Sequence, residues 1–263
     1  MLSQRAFTLI ELIITLLISA VVAVISVTFI GQSGQALVDT GARQQLADTA
    51  NIISEQLSRR IRQSLPGSVR TTNDDKCIEF MPLVVAAAYT DLRGGSATTS
   101  VTAIPPSQTL SFTGYLSVYP LNGNLYNPKT TGPLTPFTVV LPAGSAPVTI
   151  SFSSPHRFPV ESPESRLFIS AAPQTICQEG EWLYLYSGYG FVNNTAQLQA
   201  ALPSTYATGR QVLASSLEPD SLEFRYSPQT LKRNALVTFS YQLTASNGDS
   251  LNIAQEVQVR NVP

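Results

Sequence analysis

FTLIELIITLLISAVVAVISVTFI, Phe7 to Ile30, is the stretch on which the reading of this chain turns. It is 24 residues long and carries one charge, Glu11. Its polar interruptions are the hydroxyls of Thr8, at its start, and of Thr15, Ser19, Ser26 and Thr28. As a helix it would be about 36 Å long, enough to cross a hydrocarbon core of about 30 Å. An ordinary secretory signal has an apolar region of only about 7–15 residues, and no clean A-x-A site follows this one. The six residues before it form a short leader that includes Arg5, and no further Lys or Arg occurs until Arg43. That asymmetry predicts a cytoplasmic N-terminus and an exported remainder.

Glu11 needs an explanation, because a carboxylate inside a membrane helix costs about 2.5–3.5 kcal/mol at the centre and less near the end. Either it lies near the interface and snorkels, or it meets a cation at its own depth. Cleavage between Ala6 and Phe7 would create such a cation, a new α-amino group one turn from Glu11 or beside the Glu11 of a neighbouring chain.

Outward from the span, the chain turns polar but keeps helical spacing. Leu46, Ala50, Ile53, Leu57 and Ile61 recur every three or four residues, with Arg43, Asp48, Glu55, Arg59 and Arg62 largely on other faces. No proline occurs from Phe7 to Leu65, and Pro66-Gly67 is a stop. The pattern predicts one helix from Phe7 to about Gln63, roughly 85 Å long. Gly31, Gly34 and Gly41 weaken it by about 1 kcal/mol each relative to alanine. They are either simply tolerated or mark a soft segment just past the membrane half.

From about Ser68 short alternating runs are punctuated by Pro, Gly, Ser and Thr. Strands are expected at Cys77–Pro82, Thr109–Tyr119, Pro147–Ser153, Arg166–Ser170, Glu181–Ser187 and Ser221–Tyr226. The clearest signal is a hairpin: Val237, Phe239, Tyr241 and Leu243 alternate with polar residues, Asn247-Gly248-Asp249 turns, and Ile253, Val257 and Val259 return. Gly94–Pro106 and Tyr126–Pro136 read as long loops. No repeat or linker divides the head, which is read as one β-rich unit.

Composition removes several kinds of function. Charged residues are 13% of the 263, and the formal net charge is −1, so no cationic surface for nucleic acid is expected. One histidine and two cysteines exclude histidine-based zinc sites, four-thiolate sites and iron–sulfur clusters. His156, between Pro155 and Arg157, reads as a surface or turn residue rather than a base. The run WLYLYSGYG, Trp182–Gly190, reads as a core strand and edge, the other reading being an aromatic shelf for a sugar. Asp74, Asp75 and Glu79 match no known calcium-loop spacing. No G-x-S-x-G, H-E-x-x-H, C-x-x-C or P-loop occurs. No catalytic residue, metal or cofactor is therefore expected.

A short leader with Arg5, a small residue at Ala6, then FTLIEL before an apolar run resembles the class III signal of type IV prepilins. The resemblance implies cleavage before Phe7 by a prepilin peptidase, N-methylation of Phe7, and an assembly contact from Glu11 to a neighbouring pilin's N-terminus. Ala6 departs from the family's usual glycine, and Thr28 stands where major pilins often carry a kinking proline. The implied fold is α+β and type IV pilin-like. Residues 1–6 form the leader, 7–30 the transmembrane half of the helix, 31–65 its amphipathic half, and 66–263 a β-rich head.

Several head segments resemble the minor pilins of mannose-sensitive haemagglutinin (MSHA) type IV pili. They are CIEFMP from Cys77, PHRFPVESPESRLFI from Pro155, the segment ending in Cys177, FRYSPQTLKRNALVTFSYQL from Phe224 and the terminus QEVQVRNVP. The size of the head also suits a minor subunit. That resemblance implies a subunit that starts or caps a filament and so supports surface adhesion. Its partners would be other major and minor pilins, the prepilin peptidase, the inner-membrane assembly platform and membrane lipid, with no nucleic acid. It would sit in the inner membrane of a Gram-negative bacterium with a periplasmic head, and then in a surface pilus. The alternative is the J-type minor pseudopilin of type II secretion. A membrane-anchored adhesin or surface enzyme is a third reading. Cys77 and Cys177, 100 positions apart in an exported head, are expected to form a disulfide; two buried thiols are the other possibility.

Overall fold

The computed structural model describes residues 8–107, 109–121, 123–229, 234–245 and 247–259. The chain is a long N-terminal helix followed by a β-rich head, a mixed α+β fold. Helix α1 spans Leu9–Arg62 without a break, including at Thr28. It ends where Gln63 caps it and Pro66 and Gly67 turn the chain, Gly67 at φ +75°. Arg59, Arg60 and Arg62 in the last turn complement the negative end of the helix dipole.

The face of α1 expected to be apolar is the buried one: Leu46, Ala50, Ile53, Leu57 and Ile61, together with Ser58. Two sheets receive it. The first has five strands in the order β1-β2-β9-β10-β11, from Arg70–Thr71, Cys77–Phe80, Gln174–Glu179, Trp182–Tyr186 and Arg210–Ala214. The second has three, β12 (Glu223–Ser227), β13 (Ala235–Thr244) and β14 (Ser250–Val259), the last two forming the hairpin expected from alternation. Ile78, Ile176 and Leu185 of one sheet and Phe224, Val237, Phe239 and Val257 of the other close around the helix in a single core. Tyr241 on β13 donates a hydrogen bond to the Ala50 carbonyl at 2.8 Å and lies 2.9 Å from the Ser54 hydroxyl.

The third sheet is an insertion. β2 and β9 are paired neighbours, and between them in sequence lie β3 (Leu83–Tyr89), β4 (Ala97–Ile104), β5 (Phe112–Val118), β6 (Leu134–Leu141), β7 (Val148–Arg157) and β8 (Arg166–Ser170). These six run in the order β6-β5-β8-β3-β4-β7 around their own core of Val101, Leu116, Leu141, Ile150, Phe158 and Ile169. The two end strands lie against each other, so the sheet curls toward a barrel. Both carry prolines, Pro136 and Pro155, which cannot donate to a ladder. Among the described residues the seam is joined by backbone hydrogen bonds just before β6, from the Gly132 N–H to the Arg157 carbonyl at 3.1 Å and from the Arg157 N–H to the Thr130 carbonyl at 2.9 Å, and by rings: Phe137 on β6 lies 5.9 Å from Phe152 and 6.4 Å from His156, centroid to centroid.

Three expectations need correction. Gly94–Pro106 is not a loop, since β4 fills most of it, and β6 begins within the second expected loop. β3, β9 and β11 were not expected as strands. His156 is not a surface or turn residue: it lies on β7, 1% exposed, in the barrel seam.

Candidate assembly site

From Leu9 to Gly41, about 50 Å, α1 stands clear of the head. Its large apolar side chains face outward all round: Ile10 is 67% exposed, Leu17 62% and Ile25 61%. Fully burying one such side chain is worth about 1.5–3 kcal/mol, so a stretch this long needs lipid or other helices around it. By length and composition α1 can cross a membrane. Its hydroxyls fit that setting, since Thr15 donates to the Leu12 carbonyl at 2.9 Å, Ser26 to Val22 at 2.8 Å and Thr28 to Ile25 at 2.9 Å. These groups bring their own acceptors into an apolar medium. At Gly31, Gly34 and Gly41 an added Cβ would meet nothing within 4 Å.

Glu11 sits in the first turn, where a carboxylate suits the positive end of the helix dipole. Its backbone N–H is held at 3.4 Å by the Thr8 hydroxyl, which caps the helix. The capping role of Thr8 was missed in the sequence, although a threonine three residues before a glutamate at the start of an apolar run is its signature. Among the described residues Glu11 has no ion pair, and the first cation along the helix is Arg43, about 48 Å away. The expected cleavage and methylation positions, Ala6 and Phe7, lie outside the described residues.

In the head, Cys77 on β2 stands directly opposite Cys177 on β9 and the two are disulfide-bonded, with Cα atoms 4.5 Å apart. The bond lies at the root of the β2–β9 ribbon from which the inserted sheet springs. Beside it is a buried polar cluster. Glu79 is 1% exposed and accepts from the Arg70 Nε at 2.6 Å and the Tyr189 hydroxyl at 3.0 Å. Burial lifts its carboxyl above the usual value, while Arg70 and Tyr189 pull it down. Arg70 also lies 3.5 Å over the Tyr126 ring. These bonds commit Glu79 to Arg70 and Tyr189 rather than to Asp74 and Asp75, and no group of three His, Cys, Asp or Glu side chains among the described residues is placed to hold a metal.

Of Trp182–Gly190, Trp182–Tyr186 is β10, a core strand but an interior one, with β11 rather than β10 at the edge of the sheet. Tyr186 is buried and donates to Glu179, Tyr184 lies under Arg210 at 3.7 Å, and Trp182 is 45% exposed. The sheet brings together Cys77, Cys177 and Glu79. Glu11 lies far down the free helix from all three.

Residues 1–27 match the family described as the prokaryotic N-terminal methylation motif. No curated protein and no solved structure matches the chain.

Proposed function

We propose that this chain is a minor subunit of an MSHA-type type IV pilus, MshO-like, that helps to start or cap the filament. The methylation motif at residues 1–27 supports a type IV pilin or pseudopilin, a structural subunit anchored in a membrane by its N-terminal helix. The observation that carries the reading is the uncovered apolar half of α1 with Glu11 as its one charge, unpaired within the described chain. Such a helix is complete only among lipids or among other helices of the same kind. In this reading the prepilin peptidase cuts between Ala6 and Phe7 and methylates Phe7. Glu11 then pairs with a neighbouring subunit's N-terminal ammonium as the assembly platform adds subunits. The inner membrane holds the chain before assembly, with the head in the periplasm.

The test is Glu11→Val in a strain lacking the wild-type gene. Removing the charge makes insertion easier by about 2 kcal/mol. Stranding the neighbour's ammonium costs about 3–5 kcal/mol, more than a hundredfold in docking. The variant should accumulate normally in the inner membrane while surface pili are lost. Intact masses of the same preparations should give a chain starting at methylated Phe7. Normal piliation with the variant in sheared filaments, or Met1 retained, overturns the reading. Intact pili with failed protein secretion would instead mark the J-type pseudopilin.

A further inference from the structure

β3 is an interior strand of its sheet, yet half of one of its edges is open. It pairs with β8 from Leu83 to Ala88, interrupted by a bulge at Val84, but with β4 only at Ala88 and Tyr89. The cause is in the sequence: β4 ends at Ile104 because Pro105-Pro106 follow, and neither proline has an N–H to continue the ladder. The Leu83 N–H is taken by the Gln63 carbonyl. From Val84 to Ala87 no strand among the described residues lies on the side away from β8. End strands are open by position; this one is open because its neighbour stops.

A groove runs along the open edge. One stretch, of about 710 Å³, lies between the end of α1 and β3; the next, of about 310 Å³, continues toward Ile104, and the two meet at Ala86 and Arg166. Its walls include Val84, 39% exposed, and Ile104, 43% exposed. Arg62 and Arg166 frame the first stretch, and neither has an ion pair among the described residues. The acid of the groove, Glu164, lines the second stretch. Unpaired backbone groups, apolar walls and two free guanidinium groups ask for one kind of occupant.

We infer that Val84–Ala87 is a docking edge for an extended segment of another polypeptide, which adds as a short strand beside β3 and places a carboxylate between Arg62 and Arg166. Four residues of strand span about 13 Å. The added ladder supplies affinity, and alternate side chains and the carboxylate supply selection. The inference goes beyond the filament reading and does not rest on it.

The test uses the purified full-length chain in detergent micelles. The probe is an acetylated seven-residue peptide of alternating valine and threonine with glutamate at both ends; its counterpart carries lysine at both ends. The Ala86 amide, which by alternation faces the open side while those of Val85 and Ala87 face β8, should exchange fast in the free protein and slow with the acidic peptide, which should bind about tenfold more tightly than the basic one. Arg62→Glu with Arg166→Glu should reverse that preference, and Ala86→Pro should abolish binding of the acidic peptide while leaving exchange in α1 unchanged. Equal binding of both peptides, no binding of either, or protection confined to another edge such as β11 overturns the inference.

Discussion

His156 shows how much one side chain's surroundings set its chemistry. Its Nε2 lies 3.0 Å from the Gly132 carbonyl, its buried Nδ1 has no partner, and the Phe158 ring is 4.4 Å away. Burial holds its pKa below the ordinary 6.5, against the raising effect of the Gly132 hydrogen bond. The folded chain therefore resists a proton that the unfolded chain accepts. The stability this gives is present above pH 6.5 and is lost as pH falls through the lowered folded value. Thermal melts from pH 7.5 to pH 5 should show wild type losing stability across that window. In His156→Phe the histidine component should vanish, at a cost of about 1 kcal/mol for the lost hydrogen bond. An unchanged slope in the variant would place the pH dependence elsewhere, and not at Glu79, whose raised pKa makes the fold gain stability on acidification.

At the scale of elements, the β2–β9 ribbon is the neck of the head. Because Cys77 and Cys177 close a loop of 100 residues, the whole inserted sheet lies inside it. The chain-entropy model gives such a closure up to about 4.7 kcal/mol. Cys177→Ser should thus lower urea stability by a few kcal/mol, and reductant should do the same to wild type while leaving the variant unmoved. Elements whose signal is local were the legible ones. The α1 register at Leu46, Ala50, Ile53, Leu57 and Ile61 repeats with the helix period, and β13–β14 alternates with the strand period around Asn247-Gly248. β3 was hidden by its three alanines, which carry no alternation, and β4 by its Ala, Thr and Ser between Gly94-Gly95 and Pro105-Pro106. β6 was hidden by Pro136, a breaker inside a sheet but tolerated on an end strand. The candidate site divides the same way: Glu11 is conspicuous as a lone charge, whereas the open edge of β3 depends on which strands become neighbours and on where one of them stops.

Across the whole molecule, the boundary between soluble and membrane-seeking surface falls within one helix, near the exposed Arg43–Asp249 pair at 3.0 Å. Solvent screens so exposed a pair; the docking of α1 rests on the buried face from Leu46 to Ile61. A chain lacking residues 1–38 should therefore be soluble without detergent, sediment as a monomer and unfold cooperatively with its disulfide intact. Aggregation of that chain would mean that the head exposes an apolar face of its own.

The geometry of α1 also makes the subunit a lever. The head grips the helix along one side from Leu46 onward, and the free arm from there to Glu11 is about 50 Å long. With the fulcrum beside Arg43, a head that tilts by about 5° sweeps Glu11 sideways by about 4 Å, the reach over which an ion pair is made or lost. Gly31, Gly34 and Gly41 lie along that arm with nothing packed against them, so it can flex as well as swing. The position of Glu11 is thus geared to the attitude of the head, and in the proposed filament whatever grips the far end of the head would trim the pairing at the other end.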